Sequence, residues 1–156
     1  MGTNEVFSES LHELSDYLKK IVIGITGNHP DVEDLVAETI YKAYKNRFRL
    51  RNPDYLKTYV TRIQINVCKD YLKKHQHYIE YDDTIGSNDQ NPEDYHYIHE
   101  ALDTLPTEIR ELIVLHYILE VSYVELSKIM KVPQSTLKSR VKKGLEILRV
   151  ELEEPQ

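Results

Sequence analysis

The sequence predicts an all-α protein of two small helical domains joined by a flexible acidic linker, the second domain containing a helix-turn-helix. Three observations carry that expectation. Apolar residues recur at alternating three- and four-residue spacing on both sides of the chain's middle, the period of a buried helix face. From Gln76 to Tyr95 the period stops, and the stretch holds six carboxylates (Glu80, Asp82, Asp83, Asp89, Glu93, Asp94) and no Lys or Arg. Finally, "SYVELSKIMKVPQSTLKSRVKKG", Ser122 to Gly144, reads as two amphipathic helices around a three-residue turn.

The elements follow in order. Phe7, Leu11, Leu14, Leu18, Ile21 and Ile25 form one stripe, predicting a single long helix that "GNHPD" ends. Asp31 suits the N-cap of a second helix, where its side chain can accept from a free backbone N–H, and Glu33 and Asp34 suit the positive end of the dipole. Val32, Leu35, Val36 and Ile40 are its buried face. "RFRLRNPD" reads as a loop, and a third helix runs from Pro53 to about Lys74, with Leu56, Val60, Ile63 and Val67 on one side and Cys68 as a small buried residue. Residues 1–75 are thus expected to form one domain, 76–95 the linker and 96–156 the second domain. Within the linker, Tyr78, Ile79, Tyr81 and Ile85 could dock on a partner. In the second domain Pro106 opens a helix carrying Ile109, Leu112, Ile113 and His116. Ser122 and Glu125 form a capping box, each side chain satisfying a free N–H, for a helix reaching Met130. Pro133 falls in the first turn of the last helix.

Charge and composition narrow the function. The net charge is -6, yet without the 76–95 segment twenty acids face twenty bases, so local patches matter more than the total. Asp31, Glu33, Asp34 and Glu38 make an acidic cluster, followed by the basic run Lys42, Lys45, Arg47, Arg49 and Arg51. The most apolar run, Ile21 to Ile25, is too short to span a bilayer, so no membrane insertion is expected. One cysteine and no signal peptide point to the cytoplasm. His75 with His77 and His96 with His99 are the only suggestive ligand pairs, and no acid or thiol stands at fixed spacing from them; no metal, cofactor or catalytic activity is expected.

Helical phase sharpens the last helix. With Leu137, Val141, Leu145, Leu148 and Leu152 inward, Gln134, Ser135, Lys138, Ser139, Lys142 and Lys143 point outward. Hydroxyl, amide and ammonium groups at the N-terminal end of a helix after a short turn are what a DNA-reading helix presents to base edges and phosphates. Ser127 is small where the two helices approach.

Two longer segments carry a resemblance. "ALDTLPTEIRELIVLHYILEVSYVELSKIMKVPQSTLKSRVKKGLEILR", and "GNHPDVEDLVAETIYKAYKN" followed by "LKTYVTRIQINVCKDYLKK", resemble the two conserved domains of bacterial RNA polymerase sigma factors of the extracytoplasmic-function group. The resemblance implies binding to core RNA polymerase and promoter-specific initiation of transcription. By position it assigns Asp34, Leu35, Val36, Glu38, Thr39 and Lys42 to the polymerase. It assigns Arg49, Arg51, Asn52, Asp54, Tyr55, Asn66, Lys69, Lys73 and Lys74 to the melted -10 element, where unpaired bases offer faces to stack and edges to bond. Ser135, Thr136, Lys138, Ser139, Arg140, Lys142 and Lys143 fall to the -35 element, mostly as phosphate contacts. An acidic linker near the polymerase's nucleic-acid path and an anti-sigma factor are further implied.

The pattern departs from the family at Ala37 (usually Gln), Tyr59 (usually Trp), and Val121 and Lys131 (both usually Gly). Lys131 is expected to take a left-handed conformation at a cost of about 1 kcal/mol. Gly144 should weaken the last helix by about 1 kcal/mol relative to Ala. A stand-alone helix-turn-helix regulator explains the second half equally well, but not the acidic second helix. A helical adaptor without DNA contact leaves the Lys-rich N-terminal face unexplained.

Overall fold

The computed structural model describes residues 2–75 and 100–153, all helix, tight turn or short connection, with no strand among them. Helix α1 spans Gly2–Glu13 and α2 Ser15–Thr26. The expected single helix is therefore broken at Leu14, whose N–H bonds back only three residues to the Leu11 carbonyl at 3.1 Å. Leu11, Leu18, Ile21 and Ile25 are still all buried, because the break preserves the stripe's phase.

Helix α3 spans Val32–Lys45. Asp31 stands at its N-cap, but its side chain caps nothing: it accepts from the Tyr71 hydroxyl at 3.2 Å, drawn off by a tertiary partner. The predicted loop contains two 3-10 turns, Arg47–Arg49 and Pro53–Tyr55. The second is capped by the Asn52 carbonyl oxygen accepting from the Asp54 N–H at 3.0 Å. Helix α4 spans Leu56–Lys74 and packs against α2 and α3. Cys68 is fully buried between them, its thiol pushed up to about 12 by desolvation.

Residues 100–103 are helical, followed by α5 at Thr107–Ile113, which continues as a π-helical turn over Val114–Ile118. Helix α6 spans Tyr123–Met130 and α7 Gln134–Glu153. Half of the expected capping box forms: the Glu125 N–H donates to Ser122 Oγ at 3.2 Å, while the Glu125 carboxylate turns away to accept from the Thr58 hydroxyl. Pro106 and Pro133 each stand just before a helix rather than in its first turn.

Gly144 has a role beyond helix weakening. A Cβ there would lie 2.5 Å from Ile109 Cγ2 and 3.3 Å from Ile113 Cδ1, so its hydrogen is what lets α7 cross α5 so closely. Gly144 consequently takes the inward position, and Leu145, expected inside, is 39% exposed. The buried cluster runs without interruption from Leu18 and Val60 to Leu126 and Val141, so the two halves share one apolar interior.

Candidate nucleic-acid interface

Three surfaces carry the predicted site residues. The first is the N-terminal end of α7, placed by the turn after α6. Lys131 is left-handed, with φ 58° and ψ 42°, and its N–H donates to the Ser127 carbonyl at 2.9 Å. Ser127 does more than save space: its hydroxyl donates to the Val132 carbonyl at 2.8 Å, tying α6 to the turn. With Leu137 and Val141 buried, Gln134, Ser135, Lys138, Ser139, Lys142 and Lys143 are exposed together, and Thr136 is half-buried beside them. The Lys138 ammonium lies 5.6 Å from the centre of the Tyr123 ring, which itself stacks on His116 at 4.0 Å. Arg140 leaves this face and lies 4.0 Å from the Glu108 carboxylate of α5. The exposed face has three ammonium groups, hydroxyls and an amide, and so can take phosphates and base edges.

The second surface is the loop before α4 and one side of α4. Arg49, Arg51, Asn52, Asp54 and Tyr55 are all exposed, as are Lys73 and Lys74 near the end of the helix. Asn66 and Lys69 are exposed as well, at the edge of a junction. Both line a cleft of about 260 Å³ between α4 and the α5–α7 half, together with Arg62, Glu111, Lys131 and Arg140. Lys69 stands 3.7 Å from Glu111, a carboxylate only 2% exposed, whose other oxygen has no hydrogen-bond partner. Burial pushes the Glu111 carboxyl up to about 7; the Lys69 ammonium opposes that shift and Glu108 adds to it.

The third surface is α3. Asp34 and Glu38 are exposed and Lys42 half-exposed, with Glu38 and Lys42 paired at 3.1 Å across one helical turn. Ala37 and Tyr41 lie open on the same side. Leu35, Val36 and Thr39 face the interior instead: each is less than 10% exposed, and the Thr39 hydroxyl donates to the Leu35 carbonyl. They fix the helix and leave the surface to their neighbours.

Several residues that connect these surfaces carry no sequence signal. Arg62 donates from Nε to the Ile129 carbonyl at 2.9 Å and from a terminal nitrogen to the Lys128 carbonyl at 2.6 Å. Arg110 donates to the Gly24 carbonyl at 3.0 Å and pairs with Asp103. Thr58 donates to Glu125 at 3.0 Å. Each joins residues more than 60 positions apart or packs a charge inside the body, which no local pattern announces. No group of three or more potential metal ligands occurs among the described residues. His77, His96 and His99, and the docking candidates Tyr78, Ile79, Tyr81 and Ile85, lie outside the described residues, as does the 76–95 segment as a whole. No described helix is long and apolar enough to cross a membrane.

Comparison with known proteins covers both halves of the chain. Residues 11–78 match the family model of sigma-70 region 2, and residues 95–148 that of sigma-70 region 4. The chain is 28% identical to the RNA polymerase sigma factor SigV of Bacillus subtilis, over 85% of this chain and 82% of that protein. It is 26% identical to the extracytoplasmic-function sigma factor SigW of the same organism, over 97% and 91%. Among solved structures, the sigma factor RpoE of Bartonella quintana, crystallised with the anti-sigma factor NepR, superposes with a TM-score of 0.78 at 23% identity, covering 97% of this chain and 99% of that one. CnrH, in complex with the cytosolic domain of CnrY, superposes with a TM-score of 0.77 at 19% identity, over 96% and 88%.

Proposed function

The chain belongs to the sigma-70 family of bacterial RNA polymerase sigma factors, in its extracytoplasmic-function group, and we propose how its surfaces divide that work. Residues 1–75 serve as the polymerase-binding and -10 module, 76–95 as the linker, and 96–156 as the -35 module. On α3, Asp34, Glu38 and Lys42 meet core RNA polymerase, with Leu35, Val36 and Thr39 holding them in register. The loop residues Arg49, Arg51, Asn52, Asp54 and Tyr55 take the unpaired -10 strand by stacking and edge contacts, and Asn66, Lys69, Lys73 and Lys74 continue the path along α4. Ser135, Thr136, Lys138, Ser139, Lys142 and Lys143 face the -35 duplex, and Arg140 joins them once released from Glu108.

The single observation that supports this division best is the exposure of the hydroxyl and lysine face on α7 directly after a left-handed turn residue. A stand-alone regulator would use α7 in the same way but leaves the exposed acidic side of α3 without a purpose. The chain supplies positioning and charge rather than a reacting group, and acts in the cytoplasm. An anti-sigma factor is a further proposed partner, since both structural relatives above were solved with such a chain or a cytosolic binding domain.

Run-off transcription with purified core polymerase and a library of promoter templates tests the assignment. Initiation from a defined subset of templates is expected. Failure to bind the polymerase, or binding without template-selective initiation, overturns it.

A further inference from the structure

The cleft between α4 and the α5–α7 half is lined unlike a plain gap between packed helices. Arg62 and Lys69 of α4, Lys131 of the turn before α7 and Arg140 of α7 face two carboxylates, Glu108 and Glu111 of α5. Four cations against two acids leave an excess of two positive charges. Arg62 is bonded to the Ile129 and Lys128 carbonyls, which fix its guanidinium and leave its charge uncancelled. Lys69 stands 3.7 Å from Glu111 and Arg140 4.0 Å from Glu108, both longer than a hydrogen bond. An entering phosphate can offer these groups shorter, charge-assisted bonds.

The inner end of the cleft asks for a different chemistry. The Lys69 and Arg140 side chains are 44% and 40% exposed, whereas that of Glu111 is 2% exposed. Glu111 Oε1 is buried and has no hydrogen-bond partner among the described residues. A buried carboxylate oxygen calls for a donor, and with too few of them burial pushes this carboxyl up to about 7. An O–H or N–H donor beneath the cations would meet that need. The cleft is about 260 Å³, the space of about nine waters at ~30 Å³ each. That holds a phosphoryl group on a small polyhydroxyl body and excludes a nucleic-acid strand.

We infer that this cleft binds a small sugar phosphate, its phosphate held among Arg62, Lys69, Lys131 and Arg140 and one of its hydroxyls donating to Glu111 Oε1. A phosphate monoester is close to doubly negative at neutral pH, which matches the excess charge of the walls. The ligand touches α4, α5 and the turn before α7 at once, so its binding stabilises the folded chain by mass action. Binding of this kind needs none of the DNA assignments above.

The test uses the full chain with ribose 5-phosphate, glucose 6-phosphate, inorganic phosphate and ribose as probes, read by isothermal titration and by melting temperature. At least one of the sugar phosphates should bind about tenfold more tightly than inorganic phosphate and raise the melting temperature, while ribose does neither. Glu111→Met removes the buried acceptor at the same chain length, and should lower sugar-phosphate affinity about tenfold without lowering that for inorganic phosphate. Lys131→Gln removes a cation at the rim and should weaken both anions by about threefold. If Glu111→Met fails to fold by circular dichroism, Glu111→Gln makes the same comparison with a smaller loss, about threefold. Absence of binding by both sugar phosphates overturns the site. Equal affinity for inorganic phosphate, or a sugar-phosphate affinity indifferent to the Glu111 variants, reduces it to an adventitious ion only and overturns the ligand class. Affinities unchanged in Lys131→Gln overturn the cleft as the place of binding.

Discussion

The two faces assigned to DNA have similar chemistry and different surroundings, one open on all sides and one at the edge of a junction. On α7, Ser135, Lys138, Ser139, Lys142 and Lys143 project into solvent from a helix held on its other side by Leu137 and Val141. On α4, Asn66 and Lys69 open into a cleft, and Thr58 and Arg62 on the same face are bonded to α6. Residue type and helical phase thus specify what a face can bind. Whether it is free to bind depends on contacts with residues more than 60 positions away, as between Arg62 and Lys128.

The largest expected effect lies on the open face. Lys142→Glu with Lys143→Glu removes two cations and adds two charges facing phosphate. With each charged contact contributing about 1.5 kcal/mol or more, the affinity for -35 duplex should fall about 100-fold or further, and its salt dependence should become shallower by about two counterions. Affinity for core polymerase, measured by fluorescence anisotropy, should stay within about twofold. An equal loss on both partners would erase the distinction between the α7 and α3 surfaces.

Next comes the support beneath that face. Gly144→Ala places a methyl group 2.5 Å from Ile109 Cγ2. Overpacking of this kind costs about 1–3 kcal/mol, against which better helix propensity returns about 1. Urea unfolding should show a net loss of up to about 2 kcal/mol. A gain in stability would mean that α5 and α7 separate without penalty and that the reading face does not depend on their contact.

Much of the α7 face was legible in sequence, and little of the junction beside α4. Stripe residues such as Leu137 and Val141 declare the inward side of α7, and everything opposite them follows from 3.6-residue geometry. That reasoning slipped at Leu145, because it counts apolar side chains and cannot see that the absence of one at Gly144 is what the neighbouring helix requires. Asp31 and Glu125 were read as caps from their place beside a helix start, yet Tyr71 and Thr58 compete for their carboxylates across the fold. Arg62 stands among other charged residues with nothing local to mark it. The family resemblance supplied what periodicity could not, namely roles for Asn66 and α3, but no account of how the halves meet.

The junction between α4 and α5 has its own test through Glu111. Its carboxyl is raised from 4.5 to about 7 by burial against α4, with Lys69, Arg62, Lys131, Arg140 and Glu108 around the same cleft. A raised carboxyl favours the packed form when protonated, so this contribution is complete below pH 4.5 and disappears as the pH rises through about 7. Urea midpoints of the parent should therefore fall between pH 5.5 and pH 8, and Glu111→Gln should flatten that fall by retaining a neutral side chain. The same slope in both proteins would show that the carboxylate remains solvated and ionised, and the cleft correspondingly open.

The smallest effect concerns the turn that orients the open face. Lys131 holds φ 58° and ψ 42°, a region an L-residue enters at a cost of about 1 kcal/mol and glycine enters freely. Its side chain is exposed, and its N–H bond to the Ser127 carbonyl uses only backbone atoms, so Lys131→Gly keeps the hydrogen bond while removing the strain. Part of that gain is offset because glycine also has more freedom to lose on folding. A rise in melting temperature of a few degrees, with -35 affinity lowered only slightly through loss of one nearby cation, is expected. A fall in melting temperature would show that the lysine contributes more in the cleft than its backbone costs in the turn, and would tie the α7 face to the junction beside α4 through this residue.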